Sequence, residues 1–218
     1  MSANSVDIAR QSFRARRIGP RYSGPLHLAT TISISLLVAL VSAAQLDDVR
    51  PREWLTVPLT FLYANLAEYL GHRGPMHHKT RFLKKLFERH SIEHHSFFTD
   101  KAPTFDSSKD YKAVLFPPVL LVFFIGAFAV PVGAVLYWLF SPNVCFLFVL
   151  TAVLYFLNYE LLHFAYHADP ASWVGRLPFM SRLRRHHLAH HNRRLMTRYN
   201  FNITYPICDL AFGTLYRD

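Results

Sequence analysis

From Ala113 to Tyr159 the chain carries no charged side chain, and nothing constrains its fold more. A bilayer core takes about 20 helical residues, so this run is too long for one crossing and suits two. Ser141-Pro142-Asn143 supplies a turn between them, which predicts spans over 114–139 and 144–162. Pro131 and Gly133 are expected to kink or shorten the first of these. Upstream, 26–45 is apolar and uncharged, and 54–70 is apolar but interrupted by Asn65 and Glu68. Both are expected to cross, giving four spans. Hydrophobic residues make up 51% of the 218 residues and charged residues 17%. The charged share lies below the rough quarter found in soluble domains.

The formal net charge is +10. Lys and Arg crowd residues 1–25, 71–112 and 164–218, whereas the turns near 47–53 and 141–143 are short and carry little net charge. The positive-inside rule then places both termini and the basic stretches at the cytoplasmic face. A basic surface beside apolar spans favours anionic lipid over nucleic acid. Residues 1–25, with Arg10, Arg14, Arg16, Arg17 and Arg21, read as a basic arm, mobile or interfacial, and lack the apolar core of a cleavable signal peptide. Cys145 and Cys208 suggest neither a disulfide framework nor a cysteine metal site.

Twelve of the thirteen histidines fall in four clusters, and only His27 stands apart. They are His72, His77 and His78; His90, His94 and His95; His163 and His167; and His186, His187, His190 and His191. Residues three or four apart share a helix face, which pairs His90 with His94, His163 with His167, and His187 with His190 and His191. Imidazole is the commonest protein ligand for transition metals. Eight to ten of them exceed the needs of one ion, so two metals are implied. One such pair alone is an ordinary surface coincidence; four clusters at one membrane face are not. Glu68 lies four residues before His72 and Glu160 three before His163, each near the end of a span, where a carboxylate is costly and usually functional. Both are read as supporting residues that orient imidazoles. The alternative for Glu160 is direct ligation, because Glu160-x-x-His163 matches the ligand pair of soluble di-iron bundles. Asp100, Asp106 and Asp169 read as loop or turn residues.

A metal-ion transporter or metal-binding membrane protein is the rival of another class. It would place polar residues along a path through the membrane, and Ala113–Tyr159 offers almost none. A structural membrane protein would leave the clustered histidines unexplained.

The stretches Glu68-Tyr-Leu-Gly-His72-Arg-x3-His77, His90-x3-His94-His95, His163-x3-His167 and His187-x2-His190-His191 resemble those of the fatty acid hydroxylase superfamily, which includes sterol desaturases, fatty acid 2-hydroxylases and carotenoid hydroxylases. The tail from Asn200 through Pro206 and Asp209 to Thr214 is similar to its closing motif, and the likeness covers roughly residues 60–216. The resemblance implies an all-α fold: an integral-membrane four-helix bundle over 26–218, with a cytosolic helical cap from 71–112 and 164–218 carrying a histidine-rich di-metal site. It implies the ligands His72, His77, His90, His94, His95, His163, His167, His187, His190 and His191. Glu68, Glu160, His78, His186, Asn200 and Asp209 are then supporting residues, His78 and His186 having cap packing as their alternative. It further implies two iron ions, with zinc possible in purified protein, and O2 as co-substrate. The reaction would be hydroxylation or desaturation of an aliphatic C–H of a lipid, an acyl chain before a sterol or carotenoid. Electrons would come from an external ferredoxin or cytochrome b5 with its reductase. Two departures stand out. The second box has three residues, where two are usual, between His90 and His94. Asn202 replaces a frequent Gly, and Asn also tolerates left-handed backbone.

Overall fold

The structure, a computed structural model, describes residues 3–217, so the first two residues of the expected arm and the last of the expected membrane domain lie outside it. The described residues form helices and no strand. In order they are α1 (Ala3–Arg17), α2 (Gly24–Ala44), α3 (Thr56–Gly71), α4 (Lys84–Phe87), α5 (His95–Phe97), α6 (Pro118–Phe124), α7 (Val130–Leu139), α8 (Pro142–His167), α9 (Met180–His190) and α10 (Ile207–Ala211). Three π-helical segments interrupt them, at His72–Met76, Glu88–His94 and Ile125–Ala129.

The chain forms two compact units. One gathers Pro25–Ala64 and Phe116–Glu160, the other Met1–Gly24, Asn65–Leu115 and Leu161–Asp218.

The first unit holds most of the apolar helix. Three helical stretches among the described residues are long and apolar enough to cross a bilayer: Gly24–Ala44, Ser108–Leu139 and Pro142–His167. Leu37, Leu40, Val119, Val122, Trp138 and Leu139 stand exposed on them. A water-facing surface would not carry so large an apolar area, and lipid would. The protein is a helical membrane protein. The expected second span is the exception. At 16 residues, α3 is about 24 Å long, short of the ~30 Å hydrocarbon core.

Residues 47–53 and 141–143, expected as turns at one face, touch each other. Ser141 Oγ donates to Glu53 Oε1 at 2.5 Å, and Asn143 Nδ2 donates to the Asp47 carbonyl at 2.7 Å. The kink expected at Pro131 is the π segment Ile125–Ala129, just ahead of the proline, whose missing N–H interrupts regular bonding. Gly133 serves another purpose. A Cβ there would meet Cys145 Sγ at 3.2 Å and Val149 Cγ2 at 3.3 Å, so glycine lets α7 and α8 pack closely.

In the second unit, the arm expected to be mobile or interfacial is instead the helix α1, with Val6, Arg10 and Phe13 buried. Phe13 meets Phe97 edge-on with centroids 5.2 Å apart, inside an apolar cluster with Phe98, Ala113 and Val114. Arg14 bonds Asp110 through Nε at 2.9 Å and Nη2 at 2.8 Å. Charge counting along the arm does not reveal this, because the partner carboxylates lie some ninety residues away. Asp106, read as a loop residue, is one of them: it pairs with Arg10 at 2.8 Å and Arg14 at 2.6 Å.

Candidate metal centre

Ten buried histidines converge in two sets of five. His72, His77, His90, His95 and His190 form the first; His94, His163, His167, His187 and His191 form the second. Within each set the ligand nitrogens all lie within 4.8 Å of one another. The sets adjoin, with the His95 ring stacked on His191 at 4.4 Å. All ten expected ligands are brought together, and neither set includes a carboxylate.

The grouping departs from the sequence clusters for a reason of helix geometry. His163 and His167, four apart on α8, stay together, as do His187 and His191 at the end of α9. His72 with His77 and His90 with His95 are each five apart; a π turn joins the second pair, with the His95 N–H bonding His90 O, whereas the first pair bridges a kink at the non-helical Gly74, where the His77 N–H bonds Gly74 O. A π turn closes its hydrogen bond between residues five apart, so it aligns i with i+5. His94, expected beside His90, therefore passes to the second set; on the regular α9, His187 and His191 stay in the second set while His190 joins the first. The three-residue spacing in the second box suits this π register.

Backbone carbonyls orient the rings. Nδ1 of His72 donates to the Phe201 carbonyl. Nδ1 of His190 donates to Tyr199 at 2.9 Å, His94 to Ala113 at 2.9 Å, His167 to Pro103 at 2.8 Å and His191 to Phe98 at 2.8 Å. Ser91 gives its proton to the Met76 carbonyl at 2.7 Å, so its oxygen accepts from His77 Nδ1 at 3.1 Å. A carbonyl can only accept, so in these six rings the proton sits on Nδ1 and a lone pair on Nε2.

Those lone pairs face one another. Nε2 of His72 and His77 are 3.2 Å apart, His77 and His190 2.9 Å, and His94 and His191 3.2 Å. No proton lies between them, and burial keeps it so. It pushes the His72 imidazole down to about 3 and depresses His77, with further repulsion from neighbouring rings. Burial likewise holds His90, His94, His95, His187, His190 and His191 well below the usual imidazole range. Each set could hold a metal ion, and a cation at its centre would resolve the repulsion. A zinc–imidazole bond is about 2.0–2.1 Å, so two nitrogens on one ion lie no more than about 4.2 Å apart. The 2.9–3.2 Å contacts fit nitrogens that would share one ion.

The family's sequence profile, fatty acid hydroxylase, matches residues 57–214. The chain belongs to the fatty acid hydroxylase family. It is accordingly an oxidoreductase, and all ten converging histidines lie within the matched residues. No curated protein matches the chain in sequence. A solved structure described as full-length scs7p, with only its hydroxylase domain visible, has a TM-score of 0.62 at 16% identity, covering 89% of this chain and 67% of that one. That likeness concerns the fold.

The remaining expected site residues in this family member take varied positions. Glu68 accepts from the backbone N–H groups of Ile203 and Thr204 and from Thr204 Oγ1 at 2.7 Å. It thus ties the closing segment to α3. Glu160 accepts from the Phe116 N–H at 3.0 Å. His78 is exposed and donates to Arg73 O at 2.7 Å; His186 meets Asn202 O at 3.0 Å. Asp209, fully buried, accepts from the N–H groups of Phe201 at 2.9 Å and Asn202 at 2.7 Å, directly behind the carbonyl that holds His72. The left-handed residue of the closing motif is Asn200, with φ 58°, and not Asn202. Asn202 serves through its side chain instead, donating to Asn65 O at 2.9 Å and accepting from Cys208 N at 3.1 Å.

Ser91 was not singled out in the sequence; only its fifteen-residue reach to Met76 reveals its role. Ser91→Ala leaves the His77 Nδ1–H without its acceptor. Metal affinity of the first set is expected to fall about tenfold, with the second set unchanged. Chelator competition on purified protein checks this, and equal weakening of both sets would contradict it.

Proposed function

We propose that this membrane protein is an O2-dependent di-iron oxygenase that hydroxylates, or desaturates, an aliphatic C–H of a lipid, an acyl chain being the substrate class best supported. The observation that carries the proposal is the pair of adjoining five-imidazole sets with lone pairs turned inward. Family membership supports iron, with zinc as a substitute in purified protein. The ten histidines are the proposed ligands, and Glu68, Asn200, Asp209, His186, His78 and Glu160 the proposed supporting residues.

Bound iron would supply the activation of dioxygen that an unreactive C–H bond demands. The protein's own part is to hold and shield. The Nδ1 bonds keep every oriented ring with its lone pair towards the centre. The burial that lowers imidazole basicity also excludes water from a reaction that would otherwise lose its oxidant to side reactions.

Four crossings belong to the proposal, with α3 as the shorter one, as do the catalytic face and both termini at the cytoplasm. An open pocket of about 400 Å³ reaches the second set, with His191 in its wall and Lys101, Arg193 and Arg194 at its lining. These cations favour an acidic carrier, in keeping with an external ferredoxin or cytochrome b5 as the electron donor.

The test is a comparison of lipids from cells expressing the wild type or His90→Ala under isotopically heavy dioxygen. A lipid carrying one heavy oxygen, or a new double bond, is expected only with the wild type. Identical lipid profiles, with iron bound in the wild type alone, would point to metal binding or transport instead.

A further inference from the structure

Helix α1 lies before the residues matched to the family, yet one of its side chains reaches the segment that orients the second histidine set. We infer that Arg10 is a positioning residue for that set and not for the first; this rests on the reading that both sets hold metal.

Arg10 is only 7% exposed. Its Nε donates to the Phe97 carbonyl at 3.0 Å, and its Nη2 to Ala102 at 2.9 Å and Thr104 at 3.0 Å. Nη1 pairs with Asp106 at 2.8 Å. These acceptors flank the two carbonyls that set ring tautomers in the second set. Phe98, beside Phe97, accepts from His191; Pro103, between Ala102 and Thr104, accepts from His167. The Phe98 ring also stacks on His167, with centroids 4.1 Å apart. Residues 98–107 are irregular, so helical bonding does not hold those carbonyls in place. The guanidinium does.

Three rings of the first set, His72, His190 and His77, draw their orientation elsewhere, from Phe201, Tyr199 and Ser91. Losing Arg10 therefore loosens one set selectively. Charge alone is not enough. Lysine lacks the planar fork that meets three carbonyls and a carboxylate at once. Arg16, on the same helix, is exposed and bonds only its own turn, at Ser12 O, 3.2 Å away, which makes it the control.

The experiment uses the full chain purified in detergent, stripped with a chelator and titrated with zinc against a chromogenic competitor. Wild type and Arg16→Gln are expected to take up two tight equivalents. Arg10→Gln and Arg10→Lys should keep one, the other weakening about 10- to 100-fold. Adding His90→Ala to Arg10→Gln should abolish the surviving tight equivalent, and adding His187→Ala should leave it. Should Arg10→Gln fail to fold, Asp106→Asn is read the same way. Two tight equivalents in Arg10→Gln, equal weakening of both, or a tight equivalent that survives His90→Ala overturns the inference. A wild type that takes up no zinc overturns the metal-centre reading as well.

Discussion

His163→Ala combined with His190→Ala is expected to strip the purified chain of nearly all bound metal and to reduce lipid oxidation to background. The two residues belong to different sets. His190 Nε2 lies 2.9 Å from His77 Nε2, and His163 Nε2 lies 3.1 Å from His94 Nε2. Removing either imidazole takes away a ligand and opens a hole in a buried shell, so each single substitution should weaken its own set by at least about 100-fold. His190→Ala alone should therefore leave roughly one ion per chain, and the double variant almost none. Elemental mass spectrometry on protein made with ample iron is the check. Full metal retention in the double variant would remove the ground for the centre altogether.

Asp209→Ala is expected to be the most damaging substitution that touches no proposed ligand. The carboxylate is wholly buried and accepts from Phe201 N, Asn202 N and Thr214 Oγ1, the last at 2.7 Å. Alanine strands three donors, each costing about 1–3 kcal/mol when left unpaired, so a loss of at least about 3 kcal/mol is expected. For a chain of this size that lowers the melting temperature by at least roughly 6–12 °C. The loss should also have a direction. Phe201 and Tyr199 orient His72 and His190, so metal should leave the first set before the second. Thermal melts of detergent-purified protein, with and without zinc, measure both effects. A melt within a degree or two of wild type would show that the closing segment is held by something else.

Much of this molecule can be read without coordinates. The charge-free stretch from Ala113 to Tyr159 divides at Ser141-Pro142, and the chain does turn there. The clustering of twelve histidines contains the ten that converge. The partition of those histidines is not legible, because pairing by 3.6-residue periodicity assumes a regular α-helix. The π segment at Glu88–His94 shifts the register and parts His94 from His90, the kink at Gly74 brings His77 back to His72, and only the packing of α9 sends His190 to a different set from His187 and His191. Arg10 is hidden for a different reason. An arginine in a basic stretch looks like any solvated charge, and only the fold brings Phe97, Ala102, Thr104 and Asp106 around it.

The sequence by itself determined what is local and chemical: which segments prefer lipid to water, where the turns fall, and that imidazole is the candidate ligand that clusters. Those follow from side-chain hydropathy and donor type, which need no neighbours. Only the tertiary structure decided which five imidazoles gather in each set, which carbonyls fix their tautomers, and that the N-terminal helix bonds the segment from Phe97 to Asp106. Those depend on contacts between residues far apart in the chain, and on backbone registers that hydrophobic spacing does not encode.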